Sequence, residues 1–154
     1  MALNNETIEK LRNLLASWTV FRQNSHVAHW DIMGQNFNSL HSYFEQLYTD
    51  ALKNMDTLAE RIRQMGLPVE MSLSDVVQRS VISDGVEGSE AKSLVSSLLA
   101  NLAQMSGLQS EIFMEADEQG DYVTSDIMVQ LGKYTEFSSW FLSSYLGQSN
   151  TPEV

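Results

Sequence analysis

Apolar residues recur at steps of three and four along four long segments, the spacing of one helical face. The first runs from about Asn5 to Asp31, with Ile8, Leu11, Leu15 and Trp18 on a stripe, Asn4 or Asn5 available as a cap, and Gly34 beyond it. The second is expected from Phe37 to Met65, with Asn36 as cap, Gly66 past its end and Pro68 blocking continuation. The third covers about Ser89 to Glu118, carries Leu94, Leu98, Leu102 and Met105, and stops at Gly120. The fourth starts near Thr124 and presents Ile127, Leu131, Tyr134, Phe137 and Phe141 before Gly147. No segment alternates apolar and polar residues convincingly enough for a strand.

The connections order these helices. Only a few residues separate the first from the second and the third from the fourth, so each pair should form an antiparallel hairpin. About 20 residues join the second to the third, long for a structureless loop. Within that crossover, Ser72-x-x-Asp75 followed by Val76 and Val77 predicts a short capped helix. The expected fold is all-α: a four-helix bundle of ferritin-like arrangement, with a short helix in the long crossover between helices 2 and 3. A chain of 154 residues suits a single domain, 1–154.

Composition narrows the chemistry. The absence of cysteine excludes disulfides, thiolate metal sites and a thiol nucleophile. Nine basic residues against 20 acidic ones leave a net charge of −11. The basic residues do not cluster, so the phosphate neutralisation that drives nucleic-acid binding is not expected. Such a charge favours cations as partners, or serves solubility alone. No apolar run reaches the ~18 residues of a membrane span. The first residues, MALNNETIEK, lack an apolar segment behind a basic one. A cytoplasmic protein is the expectation.

The second helix carries a further pattern. At ~100° per residue, Phe37, Leu40, Phe44, Leu47, Ala51, Met55, Leu58, Ile62 and Met65 share one apolar face. His41, Glu45, Asp56 and Glu60 lie on an adjacent face as two i,i+4 pairs. Imidazole and carboxylate together suit iron and similar divalent metals. His29, near the end of the first helix and beside Trp30, adds a second imidazole. The centres of the two pairs are roughly 22 Å apart at ~1.5 Å per residue, too far for one metal centre. Either the pairs are unrelated or a second chain unites them. An antiparallel two-fold packing centred near Asp50 and Ala51, with Leu52 close to the axis, would set His41 and Glu45 of one copy opposite Asp56 and Glu60 of the other, creating two identical sites.

The stretch HVAHWDIMGQNFNSLHSYFEQLYTDALKNMDTLAERI, residues 26–62, resembles the signature of the Dps family, the miniferritins. The motifs carrying it are HW, then G-x-x-F-x-x-L-H, then D-x-x-A-E-R, and the resemblance extends from about residue 5 to 147. It implies a homo-dodecameric hollow shell of four-helix subunits. It also implies ferroxidase activity: Fe(II) binds at di-iron centres between two-fold-related subunits, is oxidised preferentially by hydrogen peroxide and more slowly by oxygen, and is stored as ferric mineral. Iron storage, detoxification and protection against oxidative stress follow. By position, His29 and His41 would come from one subunit, Asp56 and Glu60 from its partner, with Glu60 the strongest shared ligand. Glu45 stands where many relatives have Asp, yet can still be a ligand. Trp30 could trap stray oxidising equivalents or pack at the interface, and His26 could make a second hydrogen-bonded layer behind the ligands.

A second resemblance lies in ADEQGDYVTSDIM, residues 116–128, similar to the segment lining the family's acidic three-fold pores. It makes Asp117, Asp121 and Asp126 candidates for an iron-uptake pore, although Asp121 or Thr124 could equally cap the fourth helix. Two departures matter. Ser42 occupies a position that is often acidic in relatives and associated with mineral nucleation, and the Lys-rich N-terminal extension that some members use on DNA is missing. Direct DNA binding is therefore not expected.

Two alternatives compete. A classical ferritin or bacterioferritin builds its di-iron site within one bundle from Glu-x-x-His motifs, and this sequence contains none. A DNA-compacting or purely structural shell without significant ferroxidase activity would leave the His29, His41, Asp56 and Glu60 set unexplained.

Overall fold

A computed structural model describes residues 2–148. Five helices follow in order: α1 (Asn5–Asp31), α2 (Phe37–Gln64), α3 (Leu73–Arg79), α4 (Ala91–Glu118) and α5 (Tyr122–Tyr145). Among the described residues the one extended pairing is a bridge between Met33 and Glu90. The hairpins α1–α2 and α4–α5 form the bundle, and α3 lies against α1 within the crossover. This is the ferritin-like, all-α arrangement expected from the pattern.

The apolar stripes of all four long helices meet in one core. Trp18, Phe21, Phe44, Leu94, Leu98, Leu102 and Met105 are wholly buried. Each such side chain contributes about 1.5–3 kcal/mol by leaving water. Trp18 sets its ring edge-on to Phe21 at 5.5 Å and tilted against Tyr134 at 5.8 Å. Phe37, Phe137 and Phe141 depart from expectation. They share the apolar spacing of their helices but stay substantially exposed: Phe37 lies at the border of its stripe, and the buried side of α5 is Met128, Leu131, Thr135, Ser138 and Leu142 instead.

Helix ends follow local chemistry. Asn4 caps α1 by accepting from the Thr7 amide at 2.9 Å. Ser72 and Asp75 form the expected reciprocal capping box on α3. Asn36 does not cap α2 with its side chain, because its Nδ2 donates to the Tyr145 hydroxyl at 2.7 Å instead. The third long helix begins at Ala91 rather than Ser89. The Ser89 carbonyl accepts from the Met33 amide at 3.0 Å, which keeps the chain extended there. The last begins at Tyr122, because Asp121 caps it.

The crossover is fastened by polar side chains from α1. Buried Asn24 accepts from the Gly85 amide at 2.8 Å and donates to the Ser83 carbonyl and Asn101 Oδ1. Ser17 accepts from the Val81 amide at 2.9 Å. These bonds satisfy backbone groups that burial would otherwise leave unpaired. No helix among the described residues is long and apolar enough to cross a membrane.

Candidate metal centre

The short α1–α2 connection brings His29, near the end of α1, beside His41, in the second turn of α2. Their rings stack at 3.7 Å with an interplanar angle of 16°. Each Nδ1 lies 2.7 Å from the other residue's backbone carbonyl. A carbonyl only accepts, so both Nδ1 atoms carry the hydrogen and donate it. That choice of tautomer leaves a lone pair on both Nε2 atoms, the state in which imidazole binds a metal. Phe37 covers the other face of His41 at 4.8 Å.

His26 sits one turn earlier on α1. Among the described residues it makes no hydrogen bond to the ligands; its ring lies 3.9 Å from Trp30 and 4.1 Å from Tyr48. Burial, with the charges of Arg22 and His29 added, holds its ring below the ordinary histidine value. Trp30 itself is 58% exposed. Tyr48 donates to Glu45 Oε1 at 3.3 Å, a long bond. Burial and the Glu45 carboxylate both push the Tyr48 hydroxyl up.

Asp56 and Glu60 lie further along α2, and both are exposed. Neither makes a hydrogen bond or an ion pair with any described residue. Asp56 borders a cleft of about 250 Å³ whose apolar wall includes Leu15, Met55, Val69, Met71 and Leu73. Thus the chain brings His29 and His41 together and leaves Asp56 and Glu60 apart from them. Among the described residues no group of three or more His, Asp or Glu is close enough to hold a metal ion. Of the residues assigned to the two-fold axis, Ala51 is fully buried in its own bundle, whereas Leu52 is 46% exposed.

The three pore candidates have unlike surroundings. Asp117 and Asp126 are exposed. Asp121 is only 5% exposed and points inward, where it differs from an open pore carboxylate. Its oxygens accept from the Thr124 amide at 3.1 Å, the Thr124 hydroxyl at 2.6 Å and Arg61 Nη2 at 2.9 and 3.0 Å. Burial alone would raise this carboxyl, but the Thr124 and Arg61 bonds outweigh it and hold the group below the ordinary aspartate value.

Sequence inspection did not single out Phe37, Tyr48 or Arg61 for the site. Tyr48 was detectable, since it stands three residues after Glu45, within reach on a helix. Arg61 closes the D-x-x-A-E-R motif, but its role was not legible there, because Thr124 and Asp121 lie about 60 residues away.

The chain matches the Ferritin-like domain family over residues 8–151. It is 30% identical over 148 residues to DNA protection during starvation protein 2 of Bacillus anthracis, covering 95% of this chain and 100% of that protein. The crystal structure of Dps from Staphylococcus aureus is similar with a TM-score of 0.90 at 30% identity, covering 96% of this chain and 100% of that one. A Dps protein from Vibrio cholerae O1, described as a member of a superfamily of ferritin-like diiron-carboxylate proteins, is similar with a TM-score of 0.86 at 31% identity, covering 95% and 98%.

Proposed function

The chain belongs to the Dps proteins of the ferritin-like family, and on that premise we propose that it stores and detoxifies iron. Fe(II) is its substrate, oxidised at centres shared by two-fold-related copies. The ferric product is stored as mineral within a hollow dodecamer, in the cytoplasm.

The observation that carries this reading is the reciprocal bonding of His29 and His41. It prepares two imidazole Nε2 atoms on one chain while Asp56 and Glu60 have no hydrogen-bond or ion-pair partner among the described residues of that chain. Hard carboxylate oxygens and borderline imidazole nitrogens form a donor set that fits iron. In the dimer, His29 and His41 of one copy and Asp56 and Glu60 of the other would together supply the donors for Fe(II), with Glu60 the strongest shared ligand. Glu45, steadied by Tyr48, supplies a further carboxylate.

The reaction needs two Fe(II) close together. Each gives one electron to the same peroxide, whose O–O bond breaks to give two hydroxide ions. Pairing the electrons in this way releases no hydroxyl radical, which one Fe(II) acting alone would produce. Oxygen serves as the slower oxidant. Trp30, exposed beside His29, is placed to absorb a stray oxidising equivalent. The exposed carboxylates of Asp117 and Asp126 concentrate cations on the uptake path. The −11 charge opposes the phosphate contacts that a DNA-compacting role requires.

Complementation between two inactive variants tests the shared site. The His29→Ala/His41→Ala chain and the Asp56→Ala/Glu60→Ala chain should each fail to accelerate oxidation by peroxide. Co-assembled in equal amounts, half the dimers are mixed, and each mixed dimer holds one intact site of two. About a quarter of wild-type activity should return, following from the two-fold symmetry. No recovery in a mixed assembly of confirmed composition would refute sites shared between chains.

A further inference from the structure

The strongest polar link between α2 and α5 begins at Arg61, the residue next to Glu60. Its Nε donates to Thr124 Oγ1 at 3.0 Å, and its Nη2 donates to both oxygens of Asp121 at 2.9 and 3.0 Å. Thr124 is fully buried and Asp121 nearly so. A planar guanidinium held from two directions has little freedom left. The other contacts between the two helices lie nearer the start of α2: Tyr134 donates to Asp50 at 3.2 Å, Tyr43 is hydrogen-bonded to Ser138, and the Tyr43 ring stacks on Phe141 at 4.0 Å. The Glu60 carboxylate makes no hydrogen bond or ion pair with a described residue. Its direction depends on the rotation of the helical turn that bears it. Leu58 and Ile62 set one side of that turn in the core, and Arg61 sets the side facing α5.

From this geometry we infer that Arg61 is a positioning residue for Glu60, tying the metal-binding turn of α2 to the Asp121 cap between the two exposed acids Asp117 and Asp126. The inference rests on the proposed role of Glu60 as a metal ligand. The link acts through a buried ion pair, so it differs from a surface pair that salt would screen. It also gives Asp121 a task that its inward orientation permits. Rather than line a pore, Asp121 anchors the turn beside the uptake path to the helix where the metal binds.

Full-length Arg61→Met, Arg61→Lys and Asp121→Asn proteins, each checked for assembly by native mass, are titrated anaerobically with Co(II) and followed by its visible absorption. Arg61→Met should bind Co(II) about 10-fold more weakly, the size expected when a residue supporting a ligand is lost. Asp121→Asn should shift affinity in the same direction, and Arg61→Lys should recover part of the loss. If Arg61→Met fails to assemble, Asp121→Asn, which keeps an oxygen for the Thr124 cap, supplies the same comparison. Lys10→Met is the structural control. It breaks the Lys10–Glu115 ion pair at the same end of the bundle, and should lower the melting temperature without changing Co(II) affinity.

Wild-type affinity in Arg61→Met, or an equal loss in Lys10→Met, would overturn the positioning role. Glu60→Ala separates the two levels of the proposal. If it binds Co(II) normally, Glu60 is not a ligand and the shared site itself is wrong. If Glu60→Ala weakens binding while Arg61→Met and Asp121→Asn do not, only the positioning role falls.

Discussion

At one end of α2, His41 is clasped to His29 by two backbone bonds, stacked on its ring and covered by Phe37. At the other end, Asp56 and Glu60 are exposed and have no hydrogen-bond or ion-pair partner among the described residues. Both ends carry candidate ligands in the same i,i+4 spacing, yet the imidazoles are arranged in advance and the distal acids are not. The difference follows from chemistry. An imidazole must choose a tautomer, and a fixed carbonyl makes that choice before the metal arrives. A carboxylate has no such choice and loses little by waiting in water. Preparing the imidazoles and leaving the acids free also avoids burying unpaired charge in a chain that has not yet met its partner.

Replacing Asp56 and Glu60 together with alanine probes the contrast most sharply. The variant should assemble and melt as wild type does, within about 0.5 kcal/mol, since both side chains are exposed and neither makes a hydrogen bond or ion pair with a described residue. Its peroxide-dependent iron oxidation, followed by ferric absorbance, should fall to the rate in buffer. Normal oxidation by this variant would remove the acids from the site.

The histidine end should respond differently. His29→Ala removes one side-chain bond to the His41 carbonyl and one ring stack, so metal-free protein should lose about 1 kcal/mol or somewhat more. Denaturant unfolding of metal-free protein measures this. A variant as stable as wild type would mean that the clasp is not built before metal binding, and the contrast between the two ends would disappear.

Acid provides a smaller effect. Glu9 and Glu115 lie below the ordinary value of 4.5, and Asp121 below 3.8. For Glu9 the bonds from Arg79 and Arg12 are responsible, and for Glu115 the bond from Lys10 comes first. A carboxyl depressed by folding stabilises fully above its unfolded value, and the contribution is lost as pH falls through the folded value. These three acids should therefore make the melting temperature decline below about pH 4, after an earlier decline beginning near 6.5 from His26, whose ring folding holds below that value. Asp121→Asn should decline less steeply over that range. Equal slopes would show that the Arg61–Asp121 pair adds nothing to acid stability.

Much of the architecture was legible without coordinates, because it rests on local rules. The three-and-four spacing marked four helices, Gly66, Gly120 and Gly147 marked ends, and Ser72-x-x-Asp75 marked the short helix. Where expectation failed, a distant group had won. Tyr145 took the Asn36 side chain from its capping role, and Met33 kept Ser89 out of the helix. The candidate site was legible to the same depth. Spacing put four ligand-type residues on one helix face and set them too far apart to serve one centre within a chain.

Periodicity along the chain thus determined the helices, their hairpins and the segregation of acids and imidazoles, because each depends on neighbours within a few residues. Tertiary structure alone decided that His29 and His41 exchange backbone bonds, that His26 stacks between Trp30 and Tyr48, and that Arg61 reaches Asp121. Those contacts join residues from separate helices, and a hydrogen bond or a ring stack exists only when packing brings both partners within a few ångströms at the right angle.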